Sequence, residues 1–133
     1  MKALVVEDEF TSRKLLQRLL LQHGECDIAV NGNEALQAFK LAWEHQEPYD
    51  LICLDINIPE LSGYQALEQM RIYEETQGIE TSQQVKAIMV TGREDKDSVI
   101  ASFRSGCEAY LVKPIQPQEL STTLEELDLL GYA

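Results

Sequence analysis

The chain has 133 residues, 44% of them hydrophobic, which suits a single domain over residues 1–133 with one packed core and argues against disorder. Asp and Glu number 23 against 11 Lys and Arg, a net charge of −12. Such an acidic surface repels nucleic-acid phosphates and anionic lipid, so no direct nucleic-acid partner and no membrane partner is expected.

Met1-Lys2 leads straight into the apolar run Ala3-Leu4-Val5-Val6 with acids behind it, which reads as a strand and not as a secretion signal. Residues 11–23 carry Leu15, Leu16, Leu19 and Leu20 on one stripe, a helix stopped before Gly24. Residues 26–30 form a second strand. Residues 33–45 form a second helix, with Leu36, Phe39 and Trp43 inward. A third strand covers 51–54, and a helix over about 63–75 presents Leu67 and Met70. The polar stretch 74–84 holds Gly78 and reads as a surface loop or frayed helix end. Residues 87–90 are a fourth strand. Residues 96–105 form a helix presenting Val99, Ile100 and Phe103 and stopping at Gly106. The fifth strand is 109–112. The last helix is 117–130, with Pro117 in its first turn, Leu120, Leu124 and Leu127 on one face and Gly131 at its stop. No apolar run reaches the roughly 18 residues a membrane-spanning helix needs. Cys26, Cys53 and Cys107, odd in number and without CxxC spacing, read as small buried hydrophobes, not as a disulfide framework or zinc site. A cytoplasmic protein is expected.

Five βα units in succession predict an α/β fold. It is a flavodoxin-like, doubly wound sandwich with a five-stranded parallel sheet in the order 2-1-3-4-5 and helices on both faces. Strands without alternation fit that burial. Parallel strands share one carboxyl edge, where ligand sites form. Four runs end there on polar residues: the first on Glu7-Asp8, the third on Asp55, the fourth on Thr91 and the fifth on Lys113-Pro114.

An acid after a strand is commonly a turn or capping residue. Three at one switch point are costly, because carboxylates about 4 Å apart repel by roughly 4 kcal/mol at an effective dielectric near 20. A divalent cation and a nearby ammonium offset that. Oxygen-only donors point to Mg²⁺, or Mn²⁺ in its place, and not to zinc. Asp55 ends the most apolar strand, and a carboxylate at a metal can attack phosphorus to give an aspartyl phosphate. The Thr91 hydroxyl can donate to a phosphoryl oxygen, with Gly92 letting the backbone approach. Lys113 is a phosphate clamp and counter-charge, held by Pro114 in a bond whose isomer the sequence leaves open. Tyr110 reads either as a strand aromatic with a wet hydroxyl or as a two-position ring reporting the state of Thr91.

The motifs Val5-Val6-Glu7-Asp8-Glu9, Leu54-Asp55-Ile56-Asn57-Ile58-Pro59-Glu60-Leu61-Ser62-Gly63, Val90-Thr91-Gly92 and Tyr110-Leu111-Val112-Lys113-Pro114, in that order, resemble those of response-regulator receiver domains, the CheY-like family of two-component signalling. The resemblance covers essentially the whole chain. It implies that Asp55 is the phosphoacceptor. Glu7, Asp8, Asp55 and the backbone carbonyl of Asn57 would hold Mg²⁺, Lys113 would contact the phosphoryl group, and Thr91 and Tyr110 would form the switch pair. The donor would be a phosphohistidine on a sensor histidine kinase or phosphotransfer protein. The target would bind the face made by the fourth helix, fifth strand and fifth helix, a face through which relatives also dimerise. The chain would then catalyse its own phosphorylation and dephosphorylation but not be an enzyme. Departures from the family pattern are Glu7 where Asp is common, Gly92 where Ala is frequent, and a longer Asp55-to-Thr91 interval, its excess assigned to 74–84. Asn57 and Arg93 occupy variable positions tied to phosphoryl lifetime. A haloacid-dehalogenase-like phosphatase would need a second Asp two residues after Asp55, where Asn57 stands and cannot move a proton. A phosphorylation-independent receiver-like interaction module would lack some of these acids, the lysine or the threonine. A flavodoxin would meet FMN phosphate with an acidic turn.

Overall fold

A computed structural model describes residues 1–92 and 106–130. Strands β1 (Lys2–Val6), β2 (Glu25–Ala29), β3 (Leu51–Asp55), β4 (Lys86–Thr91) and β5 (Ala109–Val112) are all parallel, in the order β2-β1-β3-β4-β5. Helix α1 (Phe10–Leu21) joins β1 to β2, α2 (Gly32–Glu44) joins β2 to β3, and α3 (Gly63–Thr76) precedes β4 across a short 3₁₀ turn at Thr81–Gln83. Helix α4 (Pro117–Glu126) follows β5. The predicted flavodoxin-like sandwich is therefore observed. The helix expected at 96–105 and the stop at Gly131 lie outside the described residues.

The central strands bury side chains on both faces, which is why their sequences do not alternate. Leu4, Val6, Ile52, Leu54 and Met89 pack with Phe39, Leu67 and Met70 on one side. Ala3, Val5, Cys53, Ile88 and Val90 pack with Leu16, Leu20, Leu120 and Leu124 on the other. Each large aliphatic side chain so buried contributes about 1.5–3 kcal/mol.

Several element ends differ from the sequence-based bounds. Helix α1 stops at Leu21 with Gln22 as its cap, short of Gly24. Strand β2 begins at Glu25 and releases Val30, which is 38% exposed. Helix α4 ends at Glu126, four residues early, because Asp128 takes a left-handed conformation (φ 57°). There Leu129 N–H donates to Leu124 O and Asp128 N–H to Glu125 O, satisfying carbonyls that a longer helix would have bonded. The 74–84 stretch is a helix end followed by a largely exposed loop, as expected, apart from Glu74. Helix α3 enters it as far as Thr76 and closes on Gly78 (φ 68°) in the same double-bonded way. Glu74, expected on a polar surface loop, is fully buried. Its Oε1 accepts from Arg71 Nη1 at 2.8 Å, and its Oε2 accepts from Val85 N–H at 2.8 Å. Arg71 also donates to Val85 O, to Gly106 O and to both Glu108 oxygens, so one guanidinium ties α3 to the entries of β4 and β5. Cys53 is buried and Cys26 and Cys107 half-buried, all three free thiols, and burial raises Cys53 to about 12 and the others to about 11.

Candidate functional site

Parallel register assembles the site. Val6 pairs with Leu54, so Glu7 emerges beside Asp55 where the two central strands end. Glu7 is fully buried, Asp55 is 7% exposed and Asp8 is exposed. One carboxylate oxygen from each of the three lies within 4.8 Å of the others. Thr91 pairs with Val112, which delivers Lys113 to the same edge. Lys113 Nζ lies 2.5 Å from Glu7 Oε1 and 2.8 Å from Asp55 Oδ2. The lysine backbone is fixed as well: its N–H donates to Thr91 O at 2.8 Å, and the Lys113–Pro114 bond is cis.

The loop after Asp55 folds back over the strand. Asn57 N–H donates to Asp55 Oδ1 at 2.9 Å, Ile56 N–H to Val90 O and Gly63 N–H to Ile56 O. A Cβ on Gly63 would sit 2.4 Å from the Asp55 backbone carbonyl oxygen, so α3 starts this close to the Asp55–Ile56 backbone because residue 63 has no side chain. Ser62 and Gln65 cap that helix reciprocally.

The two buried acids respond oppositely to this setting. Burial, and then the nearness of Asp55, push Glu7 up to about 7 against the pull of Lys113. Burial also opposes charge on Asp55, but its contacts with Glu7, Lys113 and the Asn57 N–H outweigh it and hold Asp55 below the usual carboxylate range. Lys113 is raised, because its two acidic partners outweigh its own burial. Without a cation, the pair thus keeps its negative charge on Asp55 and takes a proton most readily on Glu7. Both Glu7 oxygens are buried without a well-formed hydrogen bond, although Oε1 touches the lysine ammonium. Buried carboxylate oxygens with unused lone pairs, beside an exposed third carboxylate, suit a hard cation that keeps some of its waters. The donor set fits Mg²⁺.

Of the residues singled out in the sequence, Glu7, Asp8, Asp55 and Lys113 meet, and Asn57 reaches Asp55 through its N–H. Thr91 is buried, its hydroxyl donating to Gly92 O at 3.2 Å. Tyr110 is 42% exposed on the edge strand β5 and pairs in register with Met89, two residues before Thr91. Sequence reasoning missed Arg13. Its Nη1 donates to Glu7 O and to Asp8 O, both at 3.2 Å. A cation one helical turn inside α1, just after an acidic strand end, was the available signal.

Comparison with known proteins agrees with this geometry. Residues 3–125 match the family described as the response regulator receiver domain. A probable transcriptional regulator, ycf29 of Porphyra purpurea, is 33% identical over 93% of this chain and 54% of its own length. The chain spans about half the length of the first curated relatives it matches. A CheY homologue of Campylobacter jejuni is 31% identical over 98% of this chain and 93% of its own. The crystal structure of the receiver domain of the histidine kinase CKI1 from Arabidopsis thaliana, complexed with Mg²⁺ and BeF₃⁻, superposes with a TM-score of 0.80 at 27% identity, covering 96% of this chain and 89% of that one. The chain belongs to the response regulator receiver family, a class of phosphorylation-dependent signalling modules and not of conventional enzymes.

Proposed function

We propose that residues 1–133 act as one receiver domain in which Asp55 accepts a phosphoryl group from a phosphohistidine on a sensor histidine kinase or phosphotransfer protein. The observation that carries this reading is the meeting of Glu7, Asp8 and Asp55 within 4.8 Å beside an ammonium 2.8 Å from Asp55. Glu7, Asp8, Asp55 and the Asn57 carbonyl would hold Mg²⁺, or Mn²⁺ in its place. The cation, when bound, supplies positive charge to the phosphoryl oxygens. The chain's own contribution is position and charge. Asp55 is kept ionised and so able to attack, and the Asn57 N–H fixes one of its oxygens. Lys113 holds the other and is placed to follow the charge as it moves onto the phosphoryl group. Hydrolysis of the aspartyl phosphate at the same site returns the domain to rest.

In the switching step, the Thr91 hydroxyl leaves Gly92 O for a phosphoryl oxygen and the Tyr110 ring moves inward. That shifts a two-state equilibrium on the face around β5 and α4. A cytoplasmic protein target reads that face, which also serves any homodimer. Asp55→Asn is expected to abolish labelling by a small-molecule phosphodonor in Mg²⁺, measured by intact mass. Undiminished labelling of that variant would refute the assignment.

A further inference from the structure

We infer that Arg13 is a positioning residue for the cation site: its guanidinium grips the backbone between β1 and α1 so that the Glu7 and Asp8 carboxylates face Asp55. The inference rests on the reading of these three acids as the Mg²⁺ ligands.

The contacts converge on one short segment. Arg13 Nη1 is shared between the carbonyls of Glu7 and Asp8, 3.2 Å from each. Arg13 N–H donates to Glu9 O at 3.0 Å, so the side chain and backbone of a single residue bind three successive carbonyls. The guanidinium lies against the Phe10 ring, 5.5 Å from its centroid. That phenylalanine, at the start of α1, is 63% exposed and also has Lys14 Nζ 5.7 Å from its ring centroid. Glu7 is otherwise anchored at its backbone N–H, which donates to Ala29 O at 3.1 Å. Asp8 is exposed, and Arg13 Nη1 grips its carbonyl. Groups that orient metal ligands typically contribute 10- to 100-fold to metal affinity.

A bare charge effect has the opposite sign. Arg13 is a cation close to a proposed cation site and by itself repels Mg²⁺, so a purely electrostatic role predicts tighter binding when it is neutralised. Positioning predicts weaker binding.

Mg²⁺ affinity of the full chain is measured by calorimetry at 0.1 M salt for wild type, Arg13→Met and Arg13→Gln, with thermal melting to confirm folding. Arg13→Met is expected to weaken Mg²⁺ binding roughly tenfold. Arg13→Gln, neutral but carrying an amide donor, is expected to recover part of that loss, and it carries the test should the methionine variant not fold. Equal or tighter binding by both variants overturns the inference while leaving the phosphoacceptor reading intact. Wild type that binds no Mg²⁺ overturns both.

Discussion

Glu7 and Asp55 are neighbours with opposite electrostatic fates, and the difference can be tested by pH. The folded protein raises Glu7 from an ordinary 4.5 to about 7. Between those values the folded state therefore holds more protons than the unfolded state. Its contribution to stability is full below about pH 4.5 and is lost as pH rises through about 7. The metal-free protein is expected to lose roughly 1–2 kcal/mol between pH 5.5 and pH 8, read from urea midpoints in the presence of a chelator. Asp55 is depressed and titrates below that window, so it does not mask the effect. Because the cation competes with the Glu7 proton, Mg²⁺ affinity should rise over the same interval. A urea midpoint independent of pH from 5.5 to 8 contradicts this account. The acids, Thr91 and Lys113 were legible as residues because each follows an apolar run. Their inequality was not, since it depends on which carboxylate is covered and which receives the Asn57 N–H.

At the scale of elements, two glycines at the flanks of α3 do different work. Gly78 takes φ 68° past the end of the helix, with no atom within 4 Å of where a Cβ would lie. Gly78→Ala is therefore expected to cost only the backbone penalty, about 1 kcal/mol in a chemical melt. Gly63 lies at the start of α3, where a Cβ would meet the Asp55 carbonyl at 2.4 Å. Gly63→Ala must displace the loop carrying Asp55, so it should cost more than the Gly78 change and slow phosphoryl labelling as well. Equal costs with unchanged labelling would mean that the missing side chain at Gly63 does not position the Asp55 loop. Hydrophobic periodicity located α3 to within a residue of its end, but not the burial of Glu74 in its last turn. The run Glu74-Glu75-Thr76-Gln77 looks solvated, and nothing local says that Glu74 turns inward to meet Arg71 and the Val85 N–H.

For the whole molecule, the Arg71–Glu74–Glu108 cluster joins a helix to two strands far apart in sequence, at the end of the sheet remote from Asp55. Arg71→Met leaves the fully buried Glu74 without its counter-charge, and loss of about 3–5 kcal/mol is expected by urea unfolding. Labelling of Asp55 should survive wherever the variant remains folded. A loss below 1 kcal/mol would mean that Arg71 is not needed to hold Glu74 in the interior.

Apolar runs punctuated by polar strand ends, and helical stripes between them, determined the fold class and the identity of the acidic edge, because burial on both sheet faces writes itself into local composition. Tertiary structure decided what depends on several distant segments at once. It put the ammonium of Lys113 between Glu7 and Asp55, the guanidinium of Arg13 on two loop carbonyls, Glu74 in the interior and the turn before Pro114 in its cis form. Charge pairing and desolvation act through space, so residues that look alike along the chain become unlike once the strands are laid side by side.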